Sequence, residues 1–190
     1  MNAKVTPARR AAFDVLHRVE TQAAYASHLL AATGITGLAR LDRALLQELV
    51  LGVLRWQGLL DFLVERYARR SISQIDSDVV IALRLGLYQL RFLDRIAAHA
   101  AINESVNLIR ERKLASAAPF INAVLRSAQR ELDTGIAELV LSIKDPLKRL
   151  SVESSHPEWL VERWVMRLGA KEARELALAG NTTPRVAFRF

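Results

Sequence analysis

Arg9 and Arg10 stand side by side just after a Thr6-Pro7 pair. Thr is a preferred helix N-cap and Pro a preferred first helical residue. Both arginines therefore fall in the opening turns of a helix, the end where the macrodipole disfavours cations. Something must compensate them, and a phosphate backbone suits planar, bidentate guanidinium groups. Lys4 joins the same amino-terminal cluster. Two further clusters, Arg66 with Arg69 and Arg70, and Arg110 with Arg112 and Lys113, end helical segments. There the dipole favours cations and no ligand is required. Phe120 follows Ala117-Ala118-Pro119 at a helix start. Backbone donors at that position suit a phosphate and an exposed ring suits a base, while packing in the core explains the ring equally well.

Other chemistries lack their minimum parts. The chain has no Cys, which removes disulfides, thiolate nucleophiles and zinc-thiolate sites. His17, His28, His99 and His156 are isolated from one another, so no metal cluster is expected. The acidic pairs Asp76 with Asp78 and Glu172 with Glu175 sit at helix starts or on polar faces, where dipole and solvent account for them. No Walker loop, GxGxxG or GxSxG sequence is present. Neither a catalytic residue nor a cofactor site is expected within this chain. The net charge of +7 comes from 27 cations, all of them Arg except Lys4, Lys113, Lys144, Lys148 and Lys171. That bias points to a polyanionic partner.

The 190 residues, 51% hydrophobic and 25% charged, can bury a core, and only eight Gly and five Pro interrupt them. Apolar residues recur at three- and four-residue spacing, which predicts an all-α chain. Helices are expected from Thr6-Pro7 through Val19, over about 25–32, over 41–68 as one long helix or two with a kink, with Gly52 and Gly58 as the weak points, after Asp76-Ser77-Asp78, over about 99–113, and from Pro119. After Asp133 the pattern breaks at Thr134-Gly135 and Asp145-Pro146, and Ser154-Ser155-His156-Pro157 is expected to cap a new helix carrying Trp159 and Trp164. Gly169 should end that helix and a short one should follow over 171–179. Val186, Phe188 and Phe190 alternate as in a strand. A lone strand has no ladder partner, so the chain reads as part of a longer protein. Lys4, Arg9, Arg10 and Asp14 interrupt any signal-peptide core, and no run approaches the ~18 apolar residues of a membrane span, so a cytoplasmic protein without membrane contact is expected.

Five segments coincide with one family. RRAAFDVL at 9–16, DRALLQELVLGVLR at 42–55, ALRLGLYQLRFLDRI at 82–96, HAAINESVNL at 99–108 and FINAVLR at 120–126 resemble, in order and spacing, the successive helices of the NusB-like RNA-binding fold. SHPEWLVERW at 155–164 resembles the linker that follows this domain in the bacterial RsmB (Sun, Fmu) rRNA cytosine-C5 methyltransferases. NTTPRVAFRF at 181–190 is similar to the first strand of their methyltransferase subdomain, with Pro184 standing for a proline pair. Ala97 stands where the family commonly has Pro after Arg-Ile.

The resemblance implies a domain over 1–133 made of two helical subbundles, a linker over 134–153, and the start of a methyltransferase subdomain over 154–190, truncated before the catalytic domain. Members use S-adenosylmethionine and two cysteines in that later domain, where a thiolate attacks the pyrimidine to make C5 nucleophilic. This cysteine-free chain is then the part that binds and positions small-subunit rRNA beside the downstream methyltransferase domain. In free NusB factors RNA is held by the basic first helix and by the entry to the FINAVLR-like helix, which implies Lys4, Arg9 and Arg10 together with Phe120 and Asn122. Arg84, Gln89, Asn103, Glu104 and Asn122 recur in the motifs among apolar residues, and hydrogen bonding between helices is expected for most of them. The alternative is a NusB-type antitermination factor that binds boxA RNA and ribosomal protein S10. A third reading is a domain that only docks on the catalytic domain.

Overall fold

The computed structural model describes residues 5–32 and 37–182, and all regular structure among them is helical. Lys4 and the expected strand at 186–190 lie outside the described residues. The chain divides into two units, Met1–Asp133 and Thr134–Phe190.

The first unit holds α1 (Pro7–Gln22), α2 (Ala26–Ala32), α3 (Arg40–Arg55), α4 (Gln57–Ala68), α5 (Ser77–Phe92), α6 (Ala98–Glu111) and α7 (Ala118–Arg130). α1, α2 and α3 pack on one another, as do α4, α5, α6 and α7, and α5 also touches α1 and α3. It therefore serves both subbundles. Every residue of α5 from Val79 to Gln89 is buried, including Arg84 and Gln89. A helix apolar on all faces fits only at such a centre. Asp76 starts it as a true N-cap, its carboxylate accepting the Asp78 backbone N–H at 2.9 Å.

The long apolar run at 41–68 resolves into α3 and α4, which meet at Trp56 (φ −100°, ψ 17°). Neither Gly52 nor Gly58 makes the break. Gly52 is present because the Tyr88 ring of α5 lies against it: a Cβ there would come within 2.0 Å of Tyr88 Cζ. Trp56 and Phe92 stack beside the same ring, with centroids 4.9 Å apart, and Tyr88 stacks on Phe92 at 5.1 Å. Gly86 permits a second close approach, since a Cβ would meet Leu125 Cδ1 at 2.6 Å and Ser105 Oγ at 2.9 Å.

In the second unit, residues 134–153, expected as a linker, carry α8 (Ile136–Leu139) and α9 (Pro146–Ser154). Asp145-Pro146 begins α9: the Asp145 carboxylate accepts N–H groups of Leu147 at 2.8 Å and Lys148 at 3.3 Å. The Ser154-Ser155 pair ends α9 rather than capping the next helix. Ser154 Oγ turns back to Leu150 O at 2.7 Å, and Ser155 takes the left-handed conformation (φ 56°) that closes a helix. α10 (Glu158–Leu168) starts after Pro157 without a side-chain cap, ends at Gly169 (φ 83°) and is followed by α11 (Ala170–Ala179). Leu150, Val161 and Ala177 form the core of α9, α10 and α11, covered by Leu147, Trp164 and Val165.

Substituting Gly52 or Gly86 by Ala is expected to cost about 2 kcal/mol through overpacking. Gly37→Ala, which meets nothing within 4 Å, should stay within about 0.5 kcal/mol of the parent. Urea denaturation midpoints at constant slope check the contrast.

Candidate nucleic-acid interface

The start of α1 is anchored by one carboxylate. Glu104 Oε2 accepts the Thr6 backbone N–H at 2.9 Å and the Thr6 hydroxyl at 2.7 Å. Its other oxygen pairs with Arg9 Nη1 at 3.0 Å. Arg9 also donates from Nε to Gln89 Oε1 at 2.5 Å and from Nη1 to the Thr6 hydroxyl at 3.0 Å, while Gln89 passes its amide hydrogen to Leu85 O at 2.8 Å. Thr6 is the N-cap residue by position, but its hydroxyl caps nothing within α1. Arg9 is 7% exposed. The expectation that an external phosphate must compensate it is corrected here, because Glu104 of α6 supplies the negative charge and also meets the positive end of the α1 dipole.

Arg10 is similarly engaged, but at the surface. Its Nε and Nη2 donate to Glu111 Oε2 at 2.9 Å and Oε1 at 2.8 Å, a bidentate pair that, with the nearby charges, raises the guanidinium pKa further. Arg112 crosses the same seam in the opposite sense, paired with Asp14 and lying 4.5 Å over the Phe13 ring. The two pairs make the α1–α6 seam electrically balanced.

Phe120 is partly exposed at the first turn of α7, and the Arg70 guanidinium lies 5.7 Å from its ring centroid. Asn122 is exposed. The structure thus separates the residues singled out by sequence: Arg9 is buried, Arg10 is paired, and Phe120 and Asn122 lie on α7 away from both. Among the recurring polar residues, Arg84, Gln89 and Glu104 do bridge helices. Arg84 makes a bidentate contact to Asp61 at 2.6 and 3.0 Å and reaches Glu20 at 3.1 Å. Burial alone would lower its pKa, but Asp61 and Glu20 outweigh that and hold it raised. Asn103 and Asn122 instead face solvent.

The C-terminal ends of α4 and α7 enclose a cleft of about 350 Å³ lined by Arg66, Tyr67, Arg69, Ser127, Arg130 and Glu131. Arg66 Nη2 and Tyr67 Oη both contact Glu131 Oε2 at 3.2 Å. Behind the cleft, Arg91 of α5 donates to Tyr67 Oη at 3.1 Å and to the carbonyls of Glu131 at 2.9 Å and Leu132 at 3.3 Å. The complementary charges of Arg66 and Glu131 were the available signal, but nothing local brings positions 65 residues apart together.

Among the described residues no group of three or more His, Asp or Glu is placed to hold a metal, and no helix is long and apolar enough to cross a membrane.

The model of the NusB family matches residues 6–130. The "Probable ribosomal RNA small subunit methyltransferase B" of Bacillus subtilis (strain 168) is 35% identical over 187 residues, covering 98% of this chain and 41% of that protein. The "Ribosomal RNA small subunit methyltransferase B" of Pseudomonas putida KT2440 is 36% identical over 148 residues, 78% of this chain and 32% of that protein. The chain thus spans less than half the length of these relatives. Among solved structures, "Crystal Structure of PH0851" superposes with a TM-score of 0.70 at 16% identity, over 97% of this chain and 40% of that one. "Crystal Structure of a Plectonemic RNA Supercoil" gives 0.60 at 22% identity, over 68% of this chain and 99% of that one. At these identities the likeness is one of fold.

Replacing Glu104 by Ala strands the Arg9 guanidinium in the interior and is expected to cost about 3 kcal/mol. Arg10→Ala, which breaks an exposed pair, should cost under about 1 kcal/mol. Equal effects in urea unfolding would overturn the assignment of Arg9 to the fold.

Proposed function

The chain belongs to the NusB family, and from that premise we propose that it is the RNA-binding and positioning part of an S-adenosylmethionine-dependent small-subunit rRNA (cytosine-C5) methyltransferase, working in the cytoplasm. The observation that carries this reading is the extent of similarity. It does not stop at residue 130 but runs over 98% of the chain, through the second unit, in a relative named as an rRNA small subunit methyltransferase B. A NusB-type antitermination factor, the alternative, needs only the first unit.

The residues present do not fit S-adenosylmethionine. The regular structure of the described residues is all helical, no GxGxxG turn exists, and no Cys is available as a nucleophile. No step of methyl transfer is assigned to this chain. Its own work is electrostatic and geometric: to hold a polyanion with arginines on a rigid helical frame and offer it to a catalytic domain. Phe120 and Asn122 keep surface for unpaired bases, Phe120 by stacking and Asn122 by amide hydrogen bonds. Arg10 contributes by exchanging Glu111 for a phosphate, Lys4 adds charge near the same helix start, and Arg9 contributes by fixing the position of α1.

The test is fluorescence anisotropy of labelled small-subunit rRNA fragments titrated with this chain over a salt series. Saturable binding that weakens linearly in log–log with salt is expected. Phe120→Ala should weaken it by roughly tenfold. No binding at low salt, or a clear preference for boxA RNA with ribosomal protein S10, would overturn the reading.

A further inference from the structure

We propose that the cleft between the ends of α4 and α7 is a phosphate-binding site for the RNA backbone, with Arg69 and Arg130 as its principal cations. The proposal rests on the RNA-binding reading above and moves the main electrostatic contact away from the α1 start.

The ordinary explanation for cations at helix C-termini is relief of the exposed carbonyls. At α7 Arg91 already takes the carbonyl of the C-cap residue Glu131, and that of Leu132 beyond it, from the interior. Arg130 points elsewhere, donating to Ser127 Oγ at 2.8 Å. Arg69 is exposed and makes no hydrogen bond or ion pair with the described residues. It also occupies the left-handed conformation (φ 51°) at the end of α4, where glycine is the unstrained choice.

The charge balance points the same way. Three guanidinium groups line the cleft against one carboxylate, and that carboxylate is engaged by Arg66 and Tyr67. The α1–α6 seam, by contrast, matches three arginines, Arg9, Arg10 and Arg112, with three acids. The cleft is concave, and its ~350 Å³ has room for a phosphate and the adjoining ribose. Phe120 and Ser127, seven residues apart, share one face of α7. The Phe120 ring, with Arg70 against it, therefore lies along the same helix, about 10 Å of rise from the cleft. A single strand can place a phosphate among Arg66, Arg69 and Arg130 and lay a neighbouring base on Phe120, the usual combination of a basic groove with an aromatic platform.

The test compares the parent chain with the double variant Arg69→Gly/Arg130→Ala on labelled small-subunit rRNA fragments over a salt series. Glycine at position 69 removes the cation while suiting the backbone, so an unchanged or higher urea midpoint verifies the fold. The double variant should bind roughly tenfold or more weakly, with a salt slope shallower by about 1.4, as for two lost single-strand contacts. Glu131→Gln, which removes the competing negative charge, should bind more tightly by a few-fold. A double variant with the parent's affinity and slope overturns the cleft while leaving the RNA reading in place. A parent chain that binds no RNA overturns both.

Discussion

Burial of α5 on every side is the constraint on which the first unit depends. A helix shared by two subbundles carries polar side chains in its buried stretch only where other elements offer them partners, because a polar or charged side chain without one in the interior costs several kcal/mol. α5 nevertheless carries Arg84, Tyr88, Gln89 and Arg91. Each meets a group on another element: Arg84 reaches Asp61 and Glu20, Tyr88 reaches Glu48 at 2.5 Å, Gln89 reaches Arg9, and Arg91 reaches the end of α7. Burial and the Glu48 carboxylate push the Tyr88 phenol well above its ordinary pKa, so it stays a donor. These contacts set the register of α1, α3, α4 and α7 against the central helix, while the apolar faces supply the bulk of the burial.

The same contacts divide the arginines into two classes. Arg9, Arg84 and Arg91 are spent on the fold, since their donors end on carboxylates, amides and carbonyls of this chain. Others, such as Arg69, Arg70 and Arg130, remain at the surface without an acid partner among the described residues. A net charge of +7 is thus distributed unevenly, and the surface share is what governs association with a polyanion. Rigid placement matters as much as charge: α4 and α7 are held by α5 behind them, so a ligand in the cleft meets donors that need little reorganisation.

The helices of the first unit and the last two of the second were legible from the three- and four-residue spacing, the N-cap at Asp76, Pro7 and Pro119 near helix starts, and Gly169 at a helix end, whereas Asp145-Pro146, expected as a turn within a linker, caps and opens α9. The FINAVLR and DRALLQELVLGVLR motifs agreed with the family match over 6–130. Less legible were features in which a local cue supports two uses. Ser154 and Ser155 read as a cap for the next helix but close the previous one, and the break in the 41–68 run falls at Trp56 rather than at a glycine. Asn103 and Asn122 sit among apolar residues in sequence but off the buried stripe, on another face of their helices, so they face solvent.

Sequence by itself determined that the chain is helical, basic, free of cysteine and built on the NusB pattern, because periodicity, caps and composition act locally or sum over the whole chain. It also marked Arg9 as electrostatically anomalous. Only the tertiary structure decided what resolves the anomaly, because Glu104 lies 95 residues further along and reaches α1 only when α6 docks beside it. The same holds for the α4–α7 cleft, whose cations come from two helices that no local rule connects. Charge type is written in the sequence, but whether a charge is neutralised depends on distance and dielectric, and folding sets both.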